Sequence, residues 1–197
     1  WHLYSNDPGE FTEAARFYRS MLDRYGFQNA ESHLTEYHTD ERRLPAGLTP
    51  LALRAGAPGA AILTAGWIAL QEENVAVAFV YRGVDPDMDK PDFYGLLLGD
   101  GTRKKVALAF TLWSRMGECP ERLKLTAASN GDHAFTVLAG RTERGEIRLL
   151  VANPTHREVS WVLKAPTMIR GLRIEEVSEG SNRIRVLHAP EPRAHTP

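Results

Sequence analysis

Val75-Ala76-Val77-Ala78-Phe79-Val80-Tyr81 is a near-continuous apolar run of the kind a strand shows when both of its faces are covered in a parallel sheet. What precedes it alternates in type. Leu51 to Glu72 has a helical pattern with an apolar face through Ile62, Leu63, Trp67, Ile68 and Leu70; it is interrupted at Gly56-Ala57-Pro58-Gly59, where the proline ends or kinks a turn. Ser32 to Tyr37 reads as another strand. Before it, Asp7-Pro8 supplies an N-cap and a proline at the first helical position. Phe11, Ala14, Ala15, Tyr18, Met21, Leu22 and Tyr25 then recur at the three- and four-residue steps of one helical face, until Gly26 offers a natural stop. Trp1 to Tyr4 reads as the tail of a strand. The order strand, helix, strand, helix, strand predicts a parallel α/β arrangement.

After Tyr81 the polar loop Arg82 to Asp92 leads to Phe93-Tyr94-Gly95-Leu96-Leu97-Leu98 and the turn Gly99-Asp100-Gly101. A helix through Ala107, Phe110, Leu112, Trp113 and Met116 follows and closes at Gly117. From Leu123 the texture changes to short alternating runs: Leu123 to Thr126, Ala134 to Leu138, Ile147 to Val151, Ser160 to Leu163, Leu172 to Glu175 and Arg183 to Val186. Asn130-Gly131 and Arg144-Gly145 read as hairpin turns. A boundary near Gly117 to Pro120 therefore separates residues 1–118 from a small antiparallel β-sandwich over 119–190, with 191–197 as a loose tail rich in proline and polar residues.

Composition excludes several classes. The 197 residues are 43% hydrophobic and 25% charged, ordinary for a globular protein. The 24 basic and 25 acidic side chains give a net charge of -1, so no electrostatic footprint for nucleic acid or an anionic membrane exists. Cys119 is the only cysteine, which excludes an intrachain disulfide and any multi-cysteine metal site and leaves the compartment open among secreted, periplasmic and cytoplasmic. Trp1 to Asp7 has neither the positive nor the apolar region of a signal peptide, and the missing initiator Met reads as a start inside a longer protein. Gly59 to Leu70 is too short, and too rich in Gly and Ala, to span a bilayer.

The chemistry centres on His33-Leu34-Thr35-Glu36-Tyr37-His38-Thr39-Asp40. It brings one carboxylate, Glu36, to the place where strand turns into loop, and strand ends aim side chains better than free loops do. Read on its own, such a Glu is more often a solvated or salt-bridged residue. His2 and Tyr4 alternate on the preceding strand end and point to one side of the sheet, where an imidazole and a phenol can bond a sugar hydroxyl or a carboxylate; their plain reading is as partners of local backbone groups. Tyr81, Arg82 and Asp85 end the third strand, as substrate contacts or as a surface ion pair between Arg82 and Asp85. His33 and His38 flank Glu36 but alternate faces and lack an HExxH spacing, so no metal centre is expected. Trp67, Trp113 and Trp161 are expected in the core. No GxGxxG, Walker-type or GxSxG motif occurs, Cys119 has no adjacent base, and the proline of Asn153-Pro154-Thr155 excludes N-glycosylation.

Taken in order, these segments resemble the C-terminal half of glycoside hydrolase family 39, the β-xylosidase and α-L-iduronidase type of retaining (β/α)8-barrel enzyme. Trp1-His2-Leu3-Tyr4 resembles the sixth strand with its His-x-Tyr, and His33 to Tyr37 the seventh with a Thr-Glu-aromatic motif. Val75 to Asp85 is similar to the eighth strand. Phe93 to Leu97, Asp100 to Lys105 and Ala107 to Leu112 are similar to the stretch that leads into the last barrel helix.

The resemblance implies an α/β plus β chain: the last three βα units of a barrel, then the sandwich as an accessory domain. It makes Glu36 the nucleophile and gives His2, Tyr4, Tyr81 and Asp85 to an oligosaccharide or polysaccharide substrate, with no cofactor, nucleic acid or membrane. The acid/base Glu, which the family places after an Asn on its fourth strand, has no counterpart here, and Arg82 stands where the family has Trp. A complete barrel needs about 250 residues, so the expectation is a fragment without turnover of its own. The alternative is a non-catalytic carbohydrate-binding or barrel-derived structural protein.

Overall fold

The structure, a computed structural model, describes residues 1–86, 90–125, 135–155, 157–163 and 172–188. Strands β1 (His2–Tyr4), β2 (His33–His38) and β3 (Val77–Val80) form a parallel sheet in that order. Helix α1 (Pro8–Arg24) joins the first two, α2 (Pro50–Ala55) and α3 (Ala57–Glu72) join the next two, and α4 (Lys105–Met116) follows β3. The helix starts are written locally. The Asp7 carboxylate accepts from Gly9 N–H, the Thr49 hydroxyl accepts from Ala52 N–H, and Pro8, Pro50 and Pro58 occupy first-turn positions where no intrahelical N–H is needed. The break between α2 and α3 is steric as well: Gly59 lies so close to the Leu53 carbonyl that a Cβ there would overlap it.

The core lies where the helices meet the sheet. Phe11 of α1, Leu34 and Tyr37 of β2, Leu63 and Trp67 of α3 and Val106 of α4 form one buried cluster, with Trp1, Leu3, Val80 and Trp113 packed against it. Each large apolar side chain buried this way contributes roughly 1.5–3 kcal/mol. Two expectations change. Strand β3 is not covered on both faces, because it is an edge strand of this sheet, and Phe79 is 55% exposed; the enclosed strand is the central β2, whose Leu34 is 0% exposed. On α1 only Phe11 and Ala15 are buried, whereas Tyr18 stacks on Trp1 at 5.0 Å and Tyr25 is exposed, since the later turns run past the edge of the core.

Beyond α4, strands β4 (Glu121–Leu123), β5 (Thr136–Arg141) and β6 (Ile147–Ala152) form an antiparallel sheet, and β7 (Arg173–Glu176) pairs with β8 (Arg185–His188). Arg144-Gly145 makes the β5–β6 turn, with Gly145 at φ 82°. β4 begins two residues before, and β5 two residues after, the expected runs. Leu138 and Leu150 of this sheet pack on Ile68 of α3 and on Leu112 and Met116 of α4. Ser160 to Leu163 is not a strand, and Trp161, expected in the core, is 48% exposed because no strand covers it among the described residues. Asn130-Gly131 and the tail 191–197 lie outside the described residues.

The β7–β8 connection reaches back to the helices. Val177 joins the main core, and Lys105 Nζ donates to the backbone carbonyls of Ser178 (2.6 Å), Glu179 and Ser181. Glu179 Oε1 in turn accepts from Ala57 N–H at 2.7 Å, which caps α3. Among the described residues no helix is long and apolar enough to cross a membrane.

Candidate active site

Parallel register decides which side chains meet. His2 lies beside Glu36 and Tyr4 beside His38, so these four side chains share one face of the sheet, while Leu3 and Tyr37 point to the helices. On that shared face Tyr4 Oη donates to Glu36 Oε1 at 2.6 Å. His2 Nδ1 stands 3.9 Å from Glu36 Oε2. The Glu36 side chain is 34% exposed, open enough to meet a ligand yet fixed on one oxygen. Burial, and then the hydrogen bond to the Glu36 carboxylate, push the Tyr4 phenol well above its usual range, so Tyr4 stays a donor at any physiological pH.

Behind this pair lies an aromatic and cationic cluster. The Tyr94 ring meets Tyr4 edge-to-face at 5.6 Å, His38 at 5.3 Å and Tyr81 at 5.6 Å. Arg54 lies over the Tyr94 ring, its guanidinium carbon 3.5 Å from the centroid. Arg54 Nη1 donates to the Thr39 carbonyl at 2.7 Å and to His38 Nδ1 at 2.9 Å, and Nη2 is 3.3 Å from Glu41 Oε2. His38 Nδ1 also accepts the Thr39 N–H at 2.8 Å. A guanidinium and an amide can only donate, so His38 carries its proton on Nε2 and is neutral. Burial first, then the Arg54 and Lys104 charges, hold its pKa down to about 3.

The rim around the site is tied by side chains from both strand exits. Asn6 donates to the carbonyls of Asp40 and Arg43 and accepts the Asp40 N–H, which joins the end of β1 to the loop after β2. Asp40, itself buried, caps the 3₁₀ turn Glu41–Arg43. Hydrogen bonds from Arg42 lead in holding its carboxyl down to about 2.

His2, Tyr4 and Glu36 therefore meet, and Tyr81 joins them through Tyr94. Asp85 goes elsewhere: it is 3% exposed, pairs with Lys104 rather than with Arg82, and accepts the Gly95 N–H. Its carboxylate organises the loop that carries Tyr94. His33 and His38 separate, His33 pairing with Glu31 at 2.7 Å. Three members of the cluster were not singled out by reading the sequence: Arg54, Tyr94 and Lys104. Tyr94 left one trace, the adjacent Gly95, where any Cβ would collide with Asp85. Lys104 entered only within the stretch Asp100 to Lys105, with no role of its own, and Arg54 left no trace, because a cation in a helix normally marks the solvated side.

A crystal structure of a glucosidase from Croceicoccus marinus matches this chain with a TM-score of 0.58 and 29% identity, over 77% of this chain. The chain has a glycosidase-like fold. It spans 32% of the glucosidase's length. No family model matches it, and no curated protein matches it significantly.

Proposed function

We propose that this chain is the C-terminal part of a retaining glycoside hydrolase of the family 39 type. On this reading β1 to α4 are its last three βα units, and the strands after α4 form an accessory β-sandwich. Glu36 is the nucleophile: with Oε1 engaged by Tyr4, Oε2 attacks the anomeric carbon, the glycosidic C–O bond breaks, and a glycosyl ester forms. A second carboxylate, about 5–5.5 Å away, protonates the departing oxygen and then takes a proton from the water that hydrolyses the ester. That group belongs to the portion of a full-length enzyme that this chain does not span. His2, Tyr4 and Tyr81 line the sugar site, and Asp85 supports the Tyr94 loop. The observation that carries the reading is the hydrogen bond from Tyr4 to a partly exposed Glu36 at the C-terminal end of a parallel sheet, in a chain similar to part of a glucosidase.

The test is made in the full-length parent enzyme with aryl glucosides and xylosides. Glu36→Gly is expected to lower kcat by about 10⁴-fold, and added azide to restore turnover with release of a glycosyl azide. A Glu36→Gly enzyme that stays within tenfold of wild type overturns the assignment. The 197-residue chain alone is expected to show no turnover above its Glu36→Gln variant. A second reading, a non-catalytic carbohydrate-binding protein, is favoured by one feature, the exposed Trp161 ring 6.4 Å from Phe135 at an angle of 31°. On that reading Glu36 is dispensable.

A further inference from the structure

We propose that Arg54 is a positioning residue for Glu36 and acts through two rings, Tyr94 and Tyr4. The catalytic meaning of this role rests on the glycosidase reading; the physical coupling does not. The starting point is a cost. Arg54 is 0% exposed, and a buried guanidinium is retained only where nearby groups replace its water. Here they do so at one nitrogen and over one ring. Nη1 donates to Thr39 O and His38 Nδ1, Nη2 stands 3.3 Å from Glu41 Oε2 without a hydrogen bond, and Nε has no hydrogen-bond partner among the described residues. The guanidinium carbon lies 3.5 Å from the Tyr94 centroid, the contact that completes its surroundings. A planar cation stacked on a ring fixes that ring's tilt, which a rotating ammonium does not do.

The base of the lever is rigid. Helix α2 starts on a proline and a threonine cap, and the neighbouring Leu53 is fully buried, so Arg54 leaves the backbone at a set point. Tyr94, with Arg54 over it, meets rings from three strand exits at steep interplanar angles: Tyr4 from β1 at 88°, His38 from β2 at 87°, and Tyr81 after β3 at 67°. Tyr4 therefore packs against the Tyr94 ring, and its hydroxyl meets Glu36 Oε1 at 2.6 Å. An O–H to carboxylate bond of that length is directional, so a loosened Tyr94 ring widens the angles at which Glu36 is presented.

The coupling is read directly on the 197-residue chain by NMR of ¹³C-labelled glutamate. The Tyr4→Phe variant gives the Glu36 carboxyl shift for a lost hydrogen bond. Arg54→Met is expected to move that shift at least halfway to the Tyr4→Phe value, and Arg54→Lys to move it less. Tyr94→Leu leaves the guanidinium in place and is expected to match Arg54→Met. Unchanged amide signals for Phe11, Leu63 and Val106 show that the fold is intact. Variants that keep those signals and leave Glu36 at its wild-type shift overturn the proposal. If Arg54→Met does not fold, Tyr94→Leu decides alone. In the parent enzyme Arg54→Met is expected to lower kcat by about 10²-fold with KM within about threefold of wild type. A shifted Glu36 signal with unchanged kcat leaves the coupling standing and refutes its catalytic meaning, whereas the glycosidase reading itself falls only on the Glu36→Gly test.

Discussion

Protonation of His38 is settled by what surrounds it. Its Nδ1 faces Arg54 and Thr39 N–H, and its ring is fully buried, so the folded protein binds no proton there until about pH 3. An unfolded chain binds one near the ordinary histidine value of about 6.5. The folded pKa is the lower of the two, so the unfolded state takes up the proton first and stability falls as pH drops from about 6.5 toward 3. The slope reaches about 1.4 kcal/mol per pH unit. Denaturant midpoints between pH 7 and pH 4.5 are expected to decline along that line, and His38→Asn, which keeps an acceptor for Arg54, is expected to flatten it. Asp40, held down to about 2, adds its own loss only below about pH 4. None of this was legible beforehand. The sequence shows a histidine two places from a glutamate and an arginine in a short helix, and only the fold brings them together.

Among the elements, α1 was the most legible and β3 the least. Asp7-Pro8 and Gly26 are local devices that work whatever surrounds them, and α1 starts and stops where they stand, with Gly26 at φ 84°. How far a face is covered depends on neighbours distant in sequence, which is why the apolar run at β3 gave the right element and the wrong burial. The same reasoning fixes where α1 is vulnerable. Phe11 is 0% exposed and meets the Tyr37 ring edge-to-face at 6.1 Å, whereas Phe17 on the same helix is 56% exposed. Phe11→Ala is expected to cost about 3–5 kcal/mol, and Phe17→Ala less than about 0.5 kcal/mol, as measured by urea denaturation.

For the whole molecule, the decisive contact is the one between the helices and the β7–β8 connection. Lys105 bridges three backbone carbonyls of that connection, and Glu179 caps α3 from it. Lys105→Met is expected to leave the main cluster folded while amide exchange rises selectively in β7, β8 and the first turn of α3, as mass spectrometry would show. Exchange that rises uniformly, or not at all, refutes a local anchoring role. The change of texture near residue 118 is visible in the sequence, but this tether is not, since it joins residues more than seventy places apart. Lys105 also has a neighbour that faces the other way: Lys104 pairs with Asp85, whose second oxygen holds the loop of Tyr94. Two successive ammonium groups at the head of α4 thus act as a fulcrum, with the C-terminal ribbon on one arm and the aromatic wall behind Glu36 on the other. A fusion or truncation made at the far end of the chain is therefore expected to be felt, across that pivot, at the sheet face that carries Glu36.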